Sequence, residues 1–142
     1  MELYLIDAHA LCYRSFYAIK DLANSKGQKT NAVYGFVSTL KKLLRERQPQ
    51  YMAVCFDSPA RTRRQERYAD YKIQRPSMPE DLVSQMPLIK DVVAGYRIPV
   101  LEYPGYEADD IIATIAGIFS SSGMNIVIVS DDKDMFQLVN DH

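Results

Sequence analysis

The sequence predicts an α/β fold with three layers, in which a mostly parallel central sheet has helices on both of its faces. Two observations lead to this prediction. Short apolar runs that are typical of buried strands alternate with segments whose apolar residues recur at helical spacing. The chain has 142 residues, of which 47% are hydrophobic and 25% are charged, as is typical of one globular domain. Disorder along the whole chain is therefore excluded.

In the first half of the chain, the pattern predicts a strand, a helix and a second strand. Residues 3–6 form a short apolar run that ends at Asp7. Residues 31–47 place apolar side chains three and four positions apart, which is the period of an amphipathic helix. Residues 51–56 form the second predicted strand, which ends at Asp57.

The second half begins with a predicted helix from residue 77 to about Gly95, because Ser77 and Glu80 have the spacing of a capping box. Pro87 falls inside this helix, where a proline can kink it. The remaining predicted elements are a strand at 98–101, a helix at 107–120 with one apolar stripe, a strand at 125–129 and a helical segment from about 134 to 140.

Cysteine content and hydropathy exclude further classes of protein. The two cysteines, Cys12 and Cys55, are too few for a disulfide framework, which favours a reducing compartment. The longest aliphatic run, residues 126–129, is far shorter than the ~20 residues that span a bilayer, and the N-terminus lacks the pattern of a signal peptide. We therefore expect a cytoplasmic protein with no membrane partner.

The charge is unevenly distributed along the chain. Residues 1–100 contain 16 Lys and Arg against 10 Asp and Glu, whereas residues 101–142 contain one against eight. The formal net charge of −1 conceals this difference. One part of the surface is thus expected to bind an anion and another a cation, most simply a metal ion.

Acidic residues follow the predicted strands. Because the carboxyl ends of parallel strands form the ligand crevice of an open α/β sheet, these side chains are expected to meet at one edge. Packed carboxylates repel one another unless a cation lies among them, and oxygen ligands suit Mg²⁺ or Mn²⁺ better than zinc. Their number predicts two ions, which would clamp the attacking and leaving oxygens of a phosphodiester. Taken singly, some of them are expected only to cap helices. The residues are Asp7, Asp57, Glu107, Asp109, Asp110, Asp131, Asp132 and Asp134.

A basic segment follows Asp57 and is expected to lean over the acidic edge. Residues 61–75 contain six basic residues against two acidic ones, with tyrosines between them. Arginine and lysine bind phosphates and tyrosine rings stack on bases, so residues 58–80 are expected to form an arch that binds a nucleic-acid backbone. A solvated charged face is the alternative. Arg14 is also suited to a phosphate, whereas the three aromatic residues around it fit a buried helix face.

Six short motifs occur in order along the chain, each of them once. They are L-I-D-A-H-A-L-C-Y-R at 5–14, N-A-V-Y-G-F at 31–36, F-D at 56–57, Y-K followed by Arg75 at 71–75, P-G-Y-E-A-D-D at 104–110 and S-D-D-K-D at 130–134. Together they closely resemble the N-terminal part of the 5′-nuclease family, whose catalytic part has a PIN-like, or resolvase-like, fold. This family comprises the 5′→3′ exonuclease domain of bacterial DNA polymerase I, stand-alone 5′→3′ exonucleases and flap endonucleases.

The resemblance implies a Mg²⁺-dependent phosphodiesterase, with Mn²⁺ as a substitute, that acts on DNA at 5′ ends, flaps and single-strand/duplex junctions. It also implies a bacterial, nucleoid-associated location. The first metal would be bound by Asp7, Asp57, Glu107 and Asp109, and the second by Asp132 and Asp134, with Asp110 as a further acidic residue at the site. The resemblance implies that nucleic acid is bound by Arg14, Arg64, Tyr71, Lys72 and Arg75, and that Arg14 and Lys72 belong to the catalytic set.

The chain also departs from the family pattern. Asp131 lies where relatives often have a small residue, so it is left out of the expected ligand set. Arg63 lies where relatives often have an aromatic residue, which argues against base stacking there. Family members continue past residue 142 with further strands, another metal-site aspartate and a helix-hairpin-helix module. We therefore expect residues 1–142 to be the N-terminal catalytic domain of a polymerase or of a stand-alone exonuclease, with weak activity or none in isolation.

Three other functions compete with this one. A PIN-type ribonuclease shares the sheet and the acidic cluster but cuts RNA. A catalytically silent module would use the acids for a structural ion and the basic segment for DNA. A phosphoacceptor receiver domain also has aspartates at strand ends, but it needs a pair of acids after the first strand, and Asp7-Ala8-His9 does not supply that pair.

Overall fold

The predicted parallel sheet is confirmed. The computed structural model describes residues 1–60, 62–71 and 76–140. Four strands form one sheet in the order β3-β2-β1-β4, and every pairing is parallel. In chain order the elements are β1 (Glu2–Asp7), α1 (Ala8–Ala18), α2 (Asn31–Arg47), β2 (Tyr51–Cys55), α3 (Arg63–Arg67), α4 (Glu80–Val83), α5 (Met86–Gly95), β3 (Val100–Leu101), α6 (Ala108–Ser120), β4 (Asn125–Val129) and a 3₁₀ helix (Lys133–Leu138).

Side chains that alternate along the strands are buried on opposite faces of the sheet, so the molecule has the three predicted layers. On one face, Ile6 and Val54 belong to a core that also includes buried residues of α1, α2 and α5. On the other face, Leu5 and Cys55 pack with Ile112 of α6 and with the 3₁₀ helix. No helix of the described residues is both long and apolar enough to cross a membrane.

The register of the sheet brings the carboxyl ends of three strands together. Strand β1 is central and pairs with β2 on one side and with β4 on the other. Asp7 lies opposite Cys55, and Ile6 lies opposite Val129. The residues that follow β1, β2 and β4 therefore emerge side by side at one edge, which is where the sequence places its acids.

The helix predicted to start at Ser77 begins later and is divided in two. Its first residue is Glu80, after an N-cap at Pro79 that has no side-chain cap hydrogen bond, so the predicted capping box is wrong. A proline disfavours helical backbone in the residue before it, which prevents a helix from starting at Ser77. Pro87 lies in the first turn of α5, where its missing N–H removes no helical bond, so it begins a helix and does not kink one.

Three smaller differences concern element ends and exposure. Strand β3 comprises Val100–Leu101 and is shorter than the predicted run 98–101. The last helical segment is the 3₁₀ helix, which starts one residue earlier than predicted. Of the aromatic residues around Arg14, Tyr13 and Phe16 pack on the core, whereas Tyr17 is 62% exposed and was wrongly predicted to be buried.

A buried amide, Gln85, connects α4 and α5 to the beginning of α2. Its side chain is fully buried, and its Oε1 accepts hydrogen bonds from the backbone N–H groups of Ala32 (2.8 Å) and Val33 (3.2 Å). Its Nε2 donates to the side-chain oxygen of Asn31 (2.9 Å) and to the carbonyl of Asp81 (2.8 Å). Because the first N–H groups of a helix have no partner within the helix, Gln85 acts as a long-range cap of α2.

Asn31 extends this network to the end of α1. Its Nδ2 donates to the carbonyl oxygens of Phe16 (2.9 Å) and Ile19 (2.8 Å), which lie near the C-terminus of that helix. Thr30, at the N-cap position of α2, makes no side-chain cap hydrogen bond. Two buried amides thus join three helical segments on one face of the sheet.

Helices α1 and α2 approach closely at Gly35, which leads to a stability prediction. A Cβ at residue 35 would lie 2.5 Å from Cβ and 2.6 Å from Oγ of Ser15. We expect Gly35→Ala to destabilise the protein by about 1–3 kcal/mol despite the better helix propensity of alanine. Gly117→Ala in α6 is the matched control, because nothing lies within 4 Å of its added Cβ, and it should stabilise by about 0.5–1 kcal/mol.

Urea denaturation of both variants measures the difference. If the clash with Ser15 is the cause, then Ser15→Gly combined with Gly35→Ala recovers most of the lost stability. A Gly35→Ala variant as stable as Gly117→Ala would refute the close approach.

Candidate metal centre

Asp7 lies at the end of β1 and is buried, with 6% of its surface exposed. Its Oδ1 accepts a hydrogen bond from the backbone N–H of Ala10 (3.2 Å), which makes Asp7 the N-cap of α1. Its Oδ2 accepts a hydrogen bond from the hydroxyl of Ser130 (2.8 Å), the residue that follows β4. The carboxylate of Asp7 is therefore fixed by two neighbouring segments at the predicted edge of the sheet.

Asp57 follows β2 and connects it to the start of α6. Its Oδ1 accepts a hydrogen bond from the backbone N–H of Ala108 (2.7 Å), and its own N–H donates to Nδ1 of His9 (3.2 Å). Because Nδ1 accepts this bond, a neutral His9 has its proton on Nε2. The sequence did not identify His9 as a site residue, and its position two residues after Asp7 was the only available signal.

Three carboxylates converge at the start of α6, and we call Glu107, Asp109 and Asp110 the acidic triad. One oxygen of each lies within 4.8 Å of the others. Asp110 also accepts a hydrogen bond from the backbone N–H of Glu107 (3.1 Å), as in a capping box. Across residues 1–60, 62–71 and 76–140, no other three acidic, histidine or cysteine side chains come so close together.

Among the described residues, one oxygen of the acidic triad has no hydrogen-bond partner. Oδ1 of Asp109 is buried, and none of the described residues donates to it. The side chain of Glu107 beside it is only 8% exposed. A buried unsatisfied acceptor is costly, and two further carboxylates nearby add to that cost. The local chemistry thus favours a cation.

Arg64, on the short helix α3, lies against all three carboxylates. Its Nη1 is 3.4 Å from Oε2 of Glu107 and 3.5 Å from Oδ2 of Asp109, while its Nη2 donates to Oδ1 of Asp110. Nη1 also donates to the hydroxyl of Tyr71 (3.1 Å). The structure therefore brings two residues predicted to bind nucleic acid, Arg64 and Tyr71, to the acidic triad.

Burial raises the pKa of two carboxyl groups at this edge. For Asp109, the pKa is raised above 3.8 first by burial and then by repulsion from the rest of the acidic triad, although Arg64 opposes this. For Asp7, burial is again the main cause and Asp57 contributes, while hydrogen bonds lower the pKa. The pKa of Arg64 is raised most by its hydrogen bond with Tyr71 and further by the nearby carboxylates.

The acids that follow β4 lie at the surface. Asp132 is the N-cap of the 3₁₀ helix, and its Oδ1 accepts a hydrogen bond from the backbone N–H of Asp134 (2.9 Å). The backbone N–H of Asp132 donates to the hydroxyl of Ser130 (3.0 Å), which itself donates to Asp7. These two predicted metal residues are thus connected to Asp7 through one hydroxyl group and form a group separate from the acidic triad.

Arg14 forms an ion pair with Asp131, at 3.0 Å between Nη1 and Oδ1. Both side chains are about half exposed, so the pair lies at the rim of the site. Asp131, which lies outside the predicted ligand set, is therefore the ion-pair partner of a predicted phosphate-binding residue. The other two basic residues of the prediction, Lys72 and Arg75, lie outside the described residues.

A family model described as "5'-3' exonuclease, N-terminal resolvase-like domain" matches residues 2–142. The chain belongs to this family. The resemblance seen in the sequence is thereby confirmed, together with the resolvase-like fold. The roles of the individual residues in this member of the 5'-3' exonuclease family stay predictions.

Two relatives of this 5'-3' exonuclease family member match nearly the whole chain but differ in how much of their own length is covered. A 5'-3' exonuclease of Aquifex aeolicus is 49% identical over 140 residues, which cover 99% of this chain and 48% of the relative. DNA polymerase I of Caldicellulosiruptor bescii is 39% identical over 140 residues, which cover 99% of this chain and 16% of the polymerase. The chain thus spans about half of the stand-alone relative and about a sixth of the polymerase.

Solved structures of a phage enzyme share the fold. T5 5'-exonuclease with bound divalent metal ions (zinc) superposes with a TM-score of 0.69 at 23% identity, over 99% of this chain and 53% of that one. T5 D15 flap endonuclease, in a pseudo-enzyme-product complex with DNA and metal ions, gives a TM-score of 0.68 at 21% identity, over 99% and 53%. At these identities the likeness establishes the fold alone.

The raised pKa values of Asp7 and Asp109 predict how the stability of this family member depends on pH without metal. The folded state binds more protons than the unfolded state above pH 3.8, so these groups stabilise the fold at low pH. That contribution is lost as the pH rises through the raised pKa values of the folded state. In EDTA, the free energy of unfolding of Asp109→Asn should exceed that of wild type by an amount that grows with pH. Urea titrations at several pH values measure it, and a constant difference would contradict the raised pKa of Asp109.

Proposed function

We propose that this chain provides the catalytic residues of a divalent-metal-dependent 5′→3′ exonuclease and flap endonuclease that hydrolyses phosphodiester bonds of DNA. The observation that most directly supports this proposal is the acidic triad, with its unsatisfied Asp109 oxygen, at the carboxyl edge of the sheet in a member of this family. In this proposal residues 1–142 are the N-terminal catalytic domain, and residues 58–80 form an arch over the site.

The residues at the sheet edge fit divalent ions bound through oxygen. Every side chain of the acidic triad is a carboxylate, which is the donor that Mg²⁺ and Mn²⁺ prefer. We propose that a first ion is held by Asp7, Asp57, Glu107 and Asp109, with Asp110 as a further acidic residue at the site, and that Asp132 and Asp134 hold a second. When bound, two such ions would supply Lewis-acid stabilisation of the charge that develops on the phosphate and would lower the pKa of the attacking water.

The chain's own groups prepare the site for this reaction. Hydrogen bonds from Ala10 and Ser130 fix the carboxylate of Asp7, and one from Ala108 fixes that of Asp57. Fixed donors need no reorganisation when substrate binds, which is a large part of catalysis by positioning. Arg14, which pairs with Asp131, and Arg64, which contacts the acidic triad, would bind the phosphates of the strand being cut. Lys72 and Arg75 would do so from the arch.

The proposed substrate is DNA with 5′ ends, flaps or single-strand/duplex junctions. The local charge supports a nucleic acid, because residues 61–75 contain six basic residues against two acidic ones, and Arg64 of this segment contacts the acidic triad. We further propose a cytoplasmic, nucleoid-associated bacterial protein, either joined to a polymerase region or acting as a stand-alone exonuclease. The matched span is about half of the Aquifex aeolicus relative, and we propose that these 142 residues alone cut more slowly than that longer enzyme.

A labelled 5′-flap DNA and a single-stranded RNA of the same sequence test this proposal. We expect slow release of the flap with Mg²⁺ or Mn²⁺, and complete loss of cleavage with EDTA. Calorimetric titration with Mn²⁺ gives a second measurement that does not depend on the rate.

Each alternative function has its own outcome in this assay. Cleavage of the RNA with the flap left intact would favour the PIN-type ribonuclease. Binding of Mn²⁺ and DNA without cleavage at high protein concentration would favour the silent binding module. Failure to bind Mn²⁺ would refute the metal site itself.

A further inference from the structure

Arg64 is the residue whose position the proposed function does not by itself explain. An arginine that binds substrate phosphate is expected to point its guanidinium toward the anion. In the structure the guanidinium instead contacts all three carboxylates of the acidic triad. We propose that Arg64 is an exchangeable internal cation, which occupies the acidic triad in the metal-free protein and moves to the substrate phosphate when a divalent ion binds. This inference rests on the proposed function.

Arg64 contacts the three carboxylates that a metal ion would use. Nη1 lies 3.4 Å from Oε2 of Glu107 and 3.5 Å from Oδ2 of Asp109, and Nη2 bonds Oδ1 of Asp110. A guanidinium with its planar fork satisfies several carboxylates at once, which a single lysine ammonium does less well. While Arg64 is in this position, a divalent ion and the guanidinium would compete for the same three carboxylates.

The charge balance favours exchange once a divalent ion is present. One guanidinium offsets only part of the charge of three carboxylates, and Oδ1 of Asp109 is still without a partner among the described residues. A divalent ion has twice the charge and a much smaller radius, so its Coulomb energy with the same three carboxylates is larger. The guanidinium is thus a weaker cation for this site than the proposed ion.

Little packing holds Arg64 in place. Helix α3 has five residues and buries none of them, and the side chain of Arg64 is 42% exposed. The hydroxyl of Tyr71 accepts a hydrogen bond from Nη1, and the guanidinium carbon lies 5.8 Å from the centre of the Tyr71 ring. Tyr71 can therefore retain the side chain close to the site after it leaves the carboxylates. A rotation of the side chain is enough to free the guanidinium, without unfolding of the core.

Exchange at Arg64 would couple two binding events. A metal ion that releases Arg64 raises the affinity for DNA, and by linkage DNA raises the affinity for the metal by the same factor. The metal-free protein would then bind DNA weakly, because one of its phosphate-binding groups is occupied by its own carboxylates.

The direct test is the affinity for Mn²⁺ of the intact chain without DNA, measured by calorimetry. We expect Arg64→Gln to bind Mn²⁺ at least about fivefold more tightly than wild type, because the competing charge is gone. Arg67→Gln is the matched control: it removes the same charge from the exposed end of α3, and its affinity should stay within about twofold of wild type. Because α3 buries no residue, both variants are expected to fold, and far-UV circular dichroism checks this.

Three outcomes would count against the inference, and they differ in what else they refute. If Arg64→Gln binds Mn²⁺ as wild type does, or more weakly, then Arg64 supports the ligands and does not compete with the ion. Equal gains in Arg64→Gln and Arg67→Gln would indicate a general charge effect. If wild type itself does not bind Mn²⁺, the proposed function fails together with this inference.

The coupling to DNA gives an independent measurement. Fluorescence anisotropy of a labelled flap DNA, with and without Ca²⁺ in place of Mg²⁺ to slow cleavage, reports how much a divalent ion increases the affinity. This increase should be clearly smaller in Arg64→Gln than in wild type and unchanged in Arg67→Gln. An undiminished increase in Arg64→Gln would refute the movement of Arg64 to the phosphate.

Discussion

Replacing Asp109 by asparagine should lower the affinity for Mn²⁺ by about 10–100-fold or more, the range measured when even indirect metal contacts are lost. The cleavage rate should fall at least in parallel, because the proposed ions stabilise charge in the transition state. Asp109 is the carboxylate to replace, because one of its oxygens has no hydrogen-bond partner among the described residues. Its pKa is also raised by burial and by the neighbouring carboxylates. The amide keeps the shape of the side chain and removes its charge.

The same substitution should leave the metal-free protein as stable as wild type or more stable near pH 7, because it removes a carboxylate whose ionisation the fold disfavours. Loss of function with retained stability distinguishes a ligand from a structural residue. Asp91→Asn, at an exposed position on α5, is the control and should change neither property. An Asp109→Asn protein that binds Mn²⁺ as wild type does would exclude Asp109 as a ligand.

Replacing Gln85 by leucine should destabilise the protein by about 3–5 kcal/mol, the range in which a buried hydrogen-bond network is lost. Leucine has a similar volume but no polar atoms. The N–H groups of Ala32 and Val33 and the amide oxygen of Asn31 would each lose a partner beside the core, and the carbonyl of exposed Asp81 would keep only the hydroxyl of Ser84.

Gln137→Leu, on the exposed side of the 3₁₀ helix, is the matched control and should change stability by less than about 0.5 kcal/mol. Urea denaturation measures both variants. A loss of under about 1 kcal/mol for Gln85→Leu would mean that water or a relaxed backbone replaces these bonds. The affinity of the folded fraction for Mn²⁺ should be unchanged, since Gln85 lies between α4 and α5, beside the start of α2, and not at the carboxyl edge of the sheet.

Most regular elements were predictable because their signals are local, whereas helices α1 and α3 were not predicted. The apolar spacing of α2 gave both of its ends correctly, and the continuous apolar runs at 3–6 and 51–56 identified β1 and β2 as strands with two buried faces. The capping box at Ser77 failed because a second local signal, the effect of Pro79 on the residue before it, outweighed the first. Where two local rules conflict, the steric one prevails over a single hydrogen bond.

The candidate site was predictable in part. Strand ends and parallel topology were enough to place Asp7, Asp57 and the acids after β4 at one edge. The contact of Arg64 with residues more than 40 positions later depends on how the segment after β2 folds back, which no local pattern specifies. Equally, the pairing of Arg14 with Asp131 across 117 residues is set by the position of β4 beside β1.

The cap that Gln85 provides to α2 has a consequence for the order of folding. The first N–H groups of α2 obtain their acceptor from a residue 53 positions later in the chain, and Asn31 passes the connection on to α1. During synthesis, the beginning of α2 therefore lacks its final partner until the segment containing α4 has left the ribosome. In the folded protein, the amide protons of Ala32 and Val33 should exchange with solvent at the same rate as those of α5. The start of α2 and α5 would then unfold locally as one cooperative unit.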